Sequence, residues 1–130
     1  MRTPREGVDA AQMIKDWLKV EMGQHFPQCS VRLELGEWKL GDPPTLVVFA
    51  EPDLTGMWPV ATAPTIRLTS WTSGRDVSIV NRAMGLLLTS RVPGVAKILP
   101  GTGVIESRDS TTRGDLASCT VLTRIRTQTF

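Results

Sequence analysis

The chain has 130 residues, 41% of them hydrophobic and 22% charged, with a formal net charge of +2; this suits one globular domain over residues 1–130 and argues against disorder. No apolar run approaches the roughly 20 residues that cross a bilayer, and the start M-R-T-P-R-E lacks the apolar centre of a secretory signal, so a protein kept in a cytoplasm, or packed into a particle assembled there, is expected. A charge this close to neutral gives no reason to expect a nucleic-acid binder, and two cysteines with one histidine are too few to build a metal site by themselves.

The first predicted element is a helix. Thr3, Pro4 and Glu6 spell a capping box with proline at the first helical position. Val8, Ala11, Ile14, Leu18 and Met22 then recur at helical spacing, widened by Ala10, Met13 and Trp17, and Gly23 supplies the stop. Cys29 to Leu35 alternates apolar and polar, the pattern of a strand with one face on a core. Thr45 to Ala50 is a continuous apolar run and reads as a central strand buried on both faces. Both cysteines fall in such runs and read as buried free thiols.

Between Glu51 and Pro64 three prolines and a glycine exclude a regular helix or an interior strand. Leu54, Met57, Trp58 and Val60 are too apolar for an idle linker, so this loop either tucks over the core or meets a partner. Thr65 to Trp71 resumes the strand pattern. Thr72 or Ser73 caps a second helix with Asp76 as reciprocal partner; Val77, Val80, Met84 and Leu87 line its inner face, and Pro93-Gly94 ends it. Val95 to Ile98 and Gly103 to Ser107 are strand-like pieces interrupted at Leu99 to Thr102, and Leu116 to Arg126 is a long β-branched strand. The polar stretch Arg108 to Asp115 makes the tip of a C-terminal hairpin. The expected fold is α+β: a mostly antiparallel sheet packed with two helices, in the order α-β-β-β-α-β-β.

Candidate chemistry is sparse. A nucleophile needs a base within reach, and His25, the only histidine, stands beside Phe26 and Pro27 where a capping or surface residue is common. Gly101-Thr102-Gly103 lacks the strand, helix and Lys-Ser or Lys-Thr of a phosphate loop. Glu51 and Asp53 flank Pro52 as a polar turn, and Arg113-Gly114-Asp115 is a set of common loop residues. No catalytic, cofactor or metal site, and hence no enzyme, is expected.

Charge is unevenly spread. Glu34, Glu37, Asp42, Glu51 and Asp53 face one base, Lys39; Arg67, Arg75, Arg82, Arg91 and Lys97 face one acid, Asp76. The two regions either meet across a subunit boundary or are solvated faces. Arg108, Arg113, Arg124 and Arg126 cluster near one hairpin, as a channel lining or as ordinary surface charge. The residues singled out for protein contact are Glu51, Asp53, Met57 and Trp58 in the irregular loop, with Arg75, Arg82, Arg108 and Arg113.

The order of elements carries a resemblance. An N-terminal helix, Val8 to Met22, leads to a pair of strands and an irregular loop; P-T-I-R-L-T-S-W-T-S-G-R-D-V-S-I-V-N-R-A-M-G-L-L-L follows, and a hairpin ends in T-V-L-T-R-I-R-T. This resembles the tail terminator and head–tail joining proteins of long-tailed bacteriophages, along nearly the whole chain though without an invariant motif. The resemblance implies a structural virion protein at the head–tail junction, assembled in the host cytoplasm. It implies a ring, usually of six subunits, that stops polymerisation of the tail tube and receives the filled head. Its partners would be further copies of itself, the tail tube protein and head–tail connector proteins, with genomic DNA passing through the hole unbound and no membrane involved. Rival readings are a head-completion protein of the same fold on the portal side, a small ligand-binding protein or enzyme built around Trp58, Trp71 and His25, and a nucleic-acid module.

Overall fold

The computed structural model describes residues 4–51 and 61–129. The elements are β1 (Arg5–Glu6), α1 (Ala10–Gly23), β2 (Ser30–Arg32), β3 (Thr45–Glu51), β4 (Ala61–Thr62), β5 (Thr65–Thr72), α2 (Ser78–Thr89), β6 (Val95–Pro100), β7 (Ile105–Arg108), β8 (Asp115–Arg126) and β9 (Gln128–Thr129). The fold is α+β, with two helices against a seven-stranded sheet that is antiparallel except where β2 runs parallel to β3.

β8 organises the sheet because each of its edges holds two strands end to end. One edge pairs with β5 along Asp115 to Leu122 and with β4 at Ile125 and Arg126. The opposite edge pairs with β7 along Asp115 to Ser118 and with β6 along Val121 to Ile125. Between β6 and β7 the chain keeps to that edge: the amide of Gly101 donates to the Thr120 carbonyl (3.0 Å) and the amide of Thr102 to Thr120 Oγ1 (2.8 Å). A Cβ on Gly101 would stand 2.8 Å from the Thr120 carbonyl oxygen, so only glycine allows this approach. Pro100 ends β6 at a sheet edge, where its missing N–H costs no ladder bond.

Alternation assigns one face of the sheet to the helices. Leu46, Val48, Ile66, Leu68, Cys119, Val121 and Ile125 point into a core completed by Ile14, Leu18 and Met22 of α1 and by Ile79, Val80, Ala83 and Leu87 of α2. Trp17 is half-buried against this core. Burial pushes the thiols of Cys29 and Cys119 up to about 11, and both are free, as the sequence led us to expect.

Both helix starts differ from expectation. α1 is capped by Asp9, whose carboxylate accepts from the Gln12 amide (3.1 Å). The T-x-x-E segment is spent otherwise. Arg5 and Glu6 form β1 against β9, and the Arg5 guanidinium donates to Thr127 Oγ1 (2.7 Å) and to the Thr127 carbonyl (2.6 Å); Thr3 lies outside the described residues. A distant strand partner prevails over a local cap here. Likewise neither Thr72 nor Ser73 caps α2: Thr72 Oγ1 donates to the Gly74 carbonyl (2.7 Å), and Ser73 Oγ accepts from the Gly41 amide (2.7 Å). Val77 stands at the cap position without a side-chain bond, and Asp76 just before it accepts from the amide and hydroxyl of Ser78 (2.9 and 2.6 Å).

The strand over Cys29 to Leu35 shortens to Ser30–Arg32. β3 is also not buried on both faces. Leu46 and Val48 reach the core, while Phe49, on the other side, is 54% exposed.

Candidate interaction surface

Among the described residues no helix packs on the second face of the sheet. Strand register places residues on it in rows: Glu51, Thr65, Leu122 and Leu99 in one, Phe49, Arg67 and Thr120 in the next, Val47, Thr69, Ser118 and Ile105 in a third, and Thr45, Trp71, Leu116 and Ser107 in a fourth. At this fourth row the loop before β3 folds over the sheet end. Trp38 is buried with its ring 6.0 Å from that of Trp71, and its indole N–H donates to the Pro43 carbonyl (2.9 Å). A Cβ on Gly114 would come within 2.7 Å of the Trp38 ring, which explains the glycine in the hairpin tip.

Beyond Trp38 the described residues leave the face open. Six large hydrophobic side chains are exposed among the described residues, and four of them (Phe49, Leu99, Ile105 and Leu122) stand on this one face, between 44% and 60% exposed. Exposed apolar side chains set among Ser, Thr and charged residues are the usual texture of a contact surface. Leu99 and Leu122 line a cleft of about 260 Å³ with Ala63, Thr65, Lys97 and Arg124. In that cleft Lys97 stands directly opposite Arg124.

The residues singled out from the sequence do not form one site. Asp53, Met57 and Trp58 lie outside the described residues. Glu51 ends β3 on the open face and pairs with Arg67 at 2.5 Å, so this acid and this base satisfy each other within the chain. Arg75 holds Glu106 through two contacts, 2.7 and 3.0 Å, fastening the turn before α2 to the edge strand β7. Arg82 projects from α2 with its guanidinium 5.8 Å from the Phe26 ring, in the helical layer away from the open face. Arg108 pairs with Asp115 across the hairpin (3.5 Å), and Arg113 occupies the tip with φ of 63°. The expected four-arginine cluster is divided by the length of β8. Arg108 and Arg113 stand at its start, whereas Arg124 and Arg126 stand at its end. Arg67 and Arg75 of the basic middle are paired within the chain, Arg67 with Glu51 of the acidic front half and Arg75 with Glu106.

Phe49, Leu99, Ile105 and Leu122 were not found by motif, and Lys97 and Arg124 stood out only as charges. The signal available was alternation: Leu122 and Arg124 occupy the opposite phase from Val121, Thr123 and Ile125. Of the other readings, His25 is exposed just past α1 and Trp71 packs on Trp38. Among the described residues no group of three or more His, Cys, Asp or Glu side chains is placed to hold a metal ion. No helix among them is long and apolar enough to cross a membrane. Compared with known proteins, the chain matches no family model and no curated protein.

Proposed function

We propose that this chain is a structural, non-enzymatic virion protein that assembles into a ring at the end of a phage tail tube, terminating tube growth and joining tail to head. The observation that carries the reading is the sheet face that the described residues leave uncovered, with Phe49, Leu99, Ile105 and Leu122 exposed on it. Water contact at four large apolar groups on one face is relieved when another protein surface covers them. The fold supports the reading in a second way. α2 and β5 share one core with β8, so the strand–helix unit is a rigid wall from which a subunit contact can be made. At the β7 end of the hairpin Arg75 is matched by Glu106 and Arg108 by Asp115, which leaves that end without a strongly basic lining. A channel without such a lining lets DNA slide, since each neutralised phosphate adds affinity.

The experiment has two arms. Negative-stain electron microscopy of the purified protein, over a range of concentrations at low and moderate salt, should show rings with a central hole. Deletion of the gene from its phage should give overlong tails. Normal tails beside leaking heads would move the protein to the portal side of the joint. Monomers at every concentration together with unaltered particles would overturn the reading.

A further inference from the structure

A ring built from one kind of subunit needs two different patches that fit each other. Two such patches stand at opposite ends of this sheet. The first is the cleft at the end of β8. Leu99 and Leu122 face each other across β6 and β8, and the next pair on the same face is Lys97 opposite Arg124. Two cations directly opposite on neighbouring strands repel and destabilise the pairing. Neither is in an ion pair among the described residues. The cleft therefore joins an exposed aliphatic floor to an uncompensated positive rim.

The second patch is the loop before β3. Its Leu40 is 51% exposed, and Glu34 and Glu37 of the same loop are exposed as well. Acids outnumber the one base in this loop, Lys39. The loop is firmly held: the Gly41 amide donates to Ser73 Oγ (2.7 Å), the Lys39 amide to the Asp42 carboxylate (3.0 Å), and Trp38 is buried beneath it. Presenting Leu40 on such a loop adds little ordering cost on binding. Anchored at Trp71 and Ser73, level with Leu116, the loop stands on the order of 25 Å from Arg124 at the usual strand rise.

We infer that Leu40 of one copy seats between Leu99 and Leu122 of the next, with Glu34 and Glu37 set against Lys97 and Arg124. This rests on the ring reading above and names the surfaces that meet. The contact runs head to tail, so an open assembly keeps one free donor loop at one end and one free cleft at the other until it closes.

The test is a mixing experiment read by analytical ultracentrifugation. Leu40→Asp removes the donor and Leu122→Asp the acceptor. Both side chains are exposed, so circular dichroism and melting should match the wild type. Each variant alone should associate at least tenfold more weakly than the wild type, while the two mixed should form a one-to-one complex and nothing larger. A mixture that stays monomeric, or a variant that assembles normally, overturns the pairing. Wild-type rings alongside normal variants overturn the pairing alone and leave the ring reading standing. Wild-type protein that stays monomeric at every concentration overturns the pairing, and the deletion phenotype then decides the ring reading separately. The double variant Lys97→Glu, Arg124→Glu should also lose assembly. If instead it assembles normally but no longer retains double-stranded DNA, the cation pair is a nucleic-acid surface and the pairing is overturned.

Discussion

Along β5, neighbours in sequence live in different solvents. Ile66, Leu68 and Ser70 are fully buried beneath the helices, whereas Arg67, between two of them, is exposed on the open face with Thr65 and Thr69 partly covered beside it. The same alternation runs through β8, where Val121 is buried and Leu122 is 45% exposed. The two faces share one backbone and one set of ladder hydrogen bonds. Their difference teaches that stability is set on one side of the sheet, leaving the other free to carry contacts.

The comparison breaks most readily under paired truncations. Leu68→Ala on the covered face should cost about 2–5 kcal/mol, from lost transfer energy and an unfilled cavity. Leu122→Ala on the open face should change monomer stability by no more than about 0.5 kcal/mol. Urea denaturation of both variants checks this, and similar losses would mean that the open face is covered in the monomer. A smaller effect is expected where β6 passes into β7. Gly101→Ala forces a methyl group against the Thr120 carbonyl and should cost about 1–3 kcal/mol, comparable with overpacking a core. Because both strands end there, hydrogen exchange should rise first at the amides of Gly101 and Thr102.

Helix caps come next. Asp76→Ala should cost roughly 1 kcal/mol by removing the acceptor for Ser78, while Ser73→Ala should leave α2 intact. A thermal melt in which Ser73→Ala is the more damaging would restore the expected cap and contradict the one described.

The smallest effect concerns pH. Hydrogen bonds from the amide and hydroxyl of Thr112 hold the Asp109 carboxyl below its usual 3.8. Because the folded value is the lower one, the stabilisation is fully present above 3.8 and is lost as pH falls through the folded value. Proton titration of the Thr112 amide should show the tip loosening only in that acidic window, with no change above it.

What could be read from the sequence depended on how far its causes reach. The stripe of Ile14, Leu18 and Met22 marks α1 because helical spacing is a local property, and the β-branched run ending at Arg126 marks β8 for the same reason. The expected caps failed in part because of distant competitors, although Thr72 turned to Gly74 only two residues on. Thr127 takes Arg5 from across the chain and Gly41 takes Ser73, pairings that local spacing does not encode. Phe49 was misread because a continuous apolar run has the same appearance whether its second face is covered or bare. For the candidate surface the gap was wider. The pairing of Leu99 with Leu122 depends on a register set by the close approach of Gly101 to Thr120. Arg75 and Glu106, 31 positions apart, cancel charges that the sequence alone presents as free.

One consequence of the strand arrangement concerns time. β8 pairs with β4, β5, β6 and β7, yet it follows all four along the chain. As the chain leaves the ribosome, α1, β3, β5 and α2 emerge with the central place in the sheet vacant. The registers between β5 and β8 join residues some 50 positions apart, so their closure bears a large loop entropy and is slow. Until Arg126 has cleared the exit tunnel, the edges of β5 and β6 that later pair with β8 lack that partner, and edges of this kind recruit foreign strands. A ribosome-stalled chain ending near residue 112 should therefore bind chaperones and resist folding, and a chain stalled far enough beyond 129 to clear the tunnel should not.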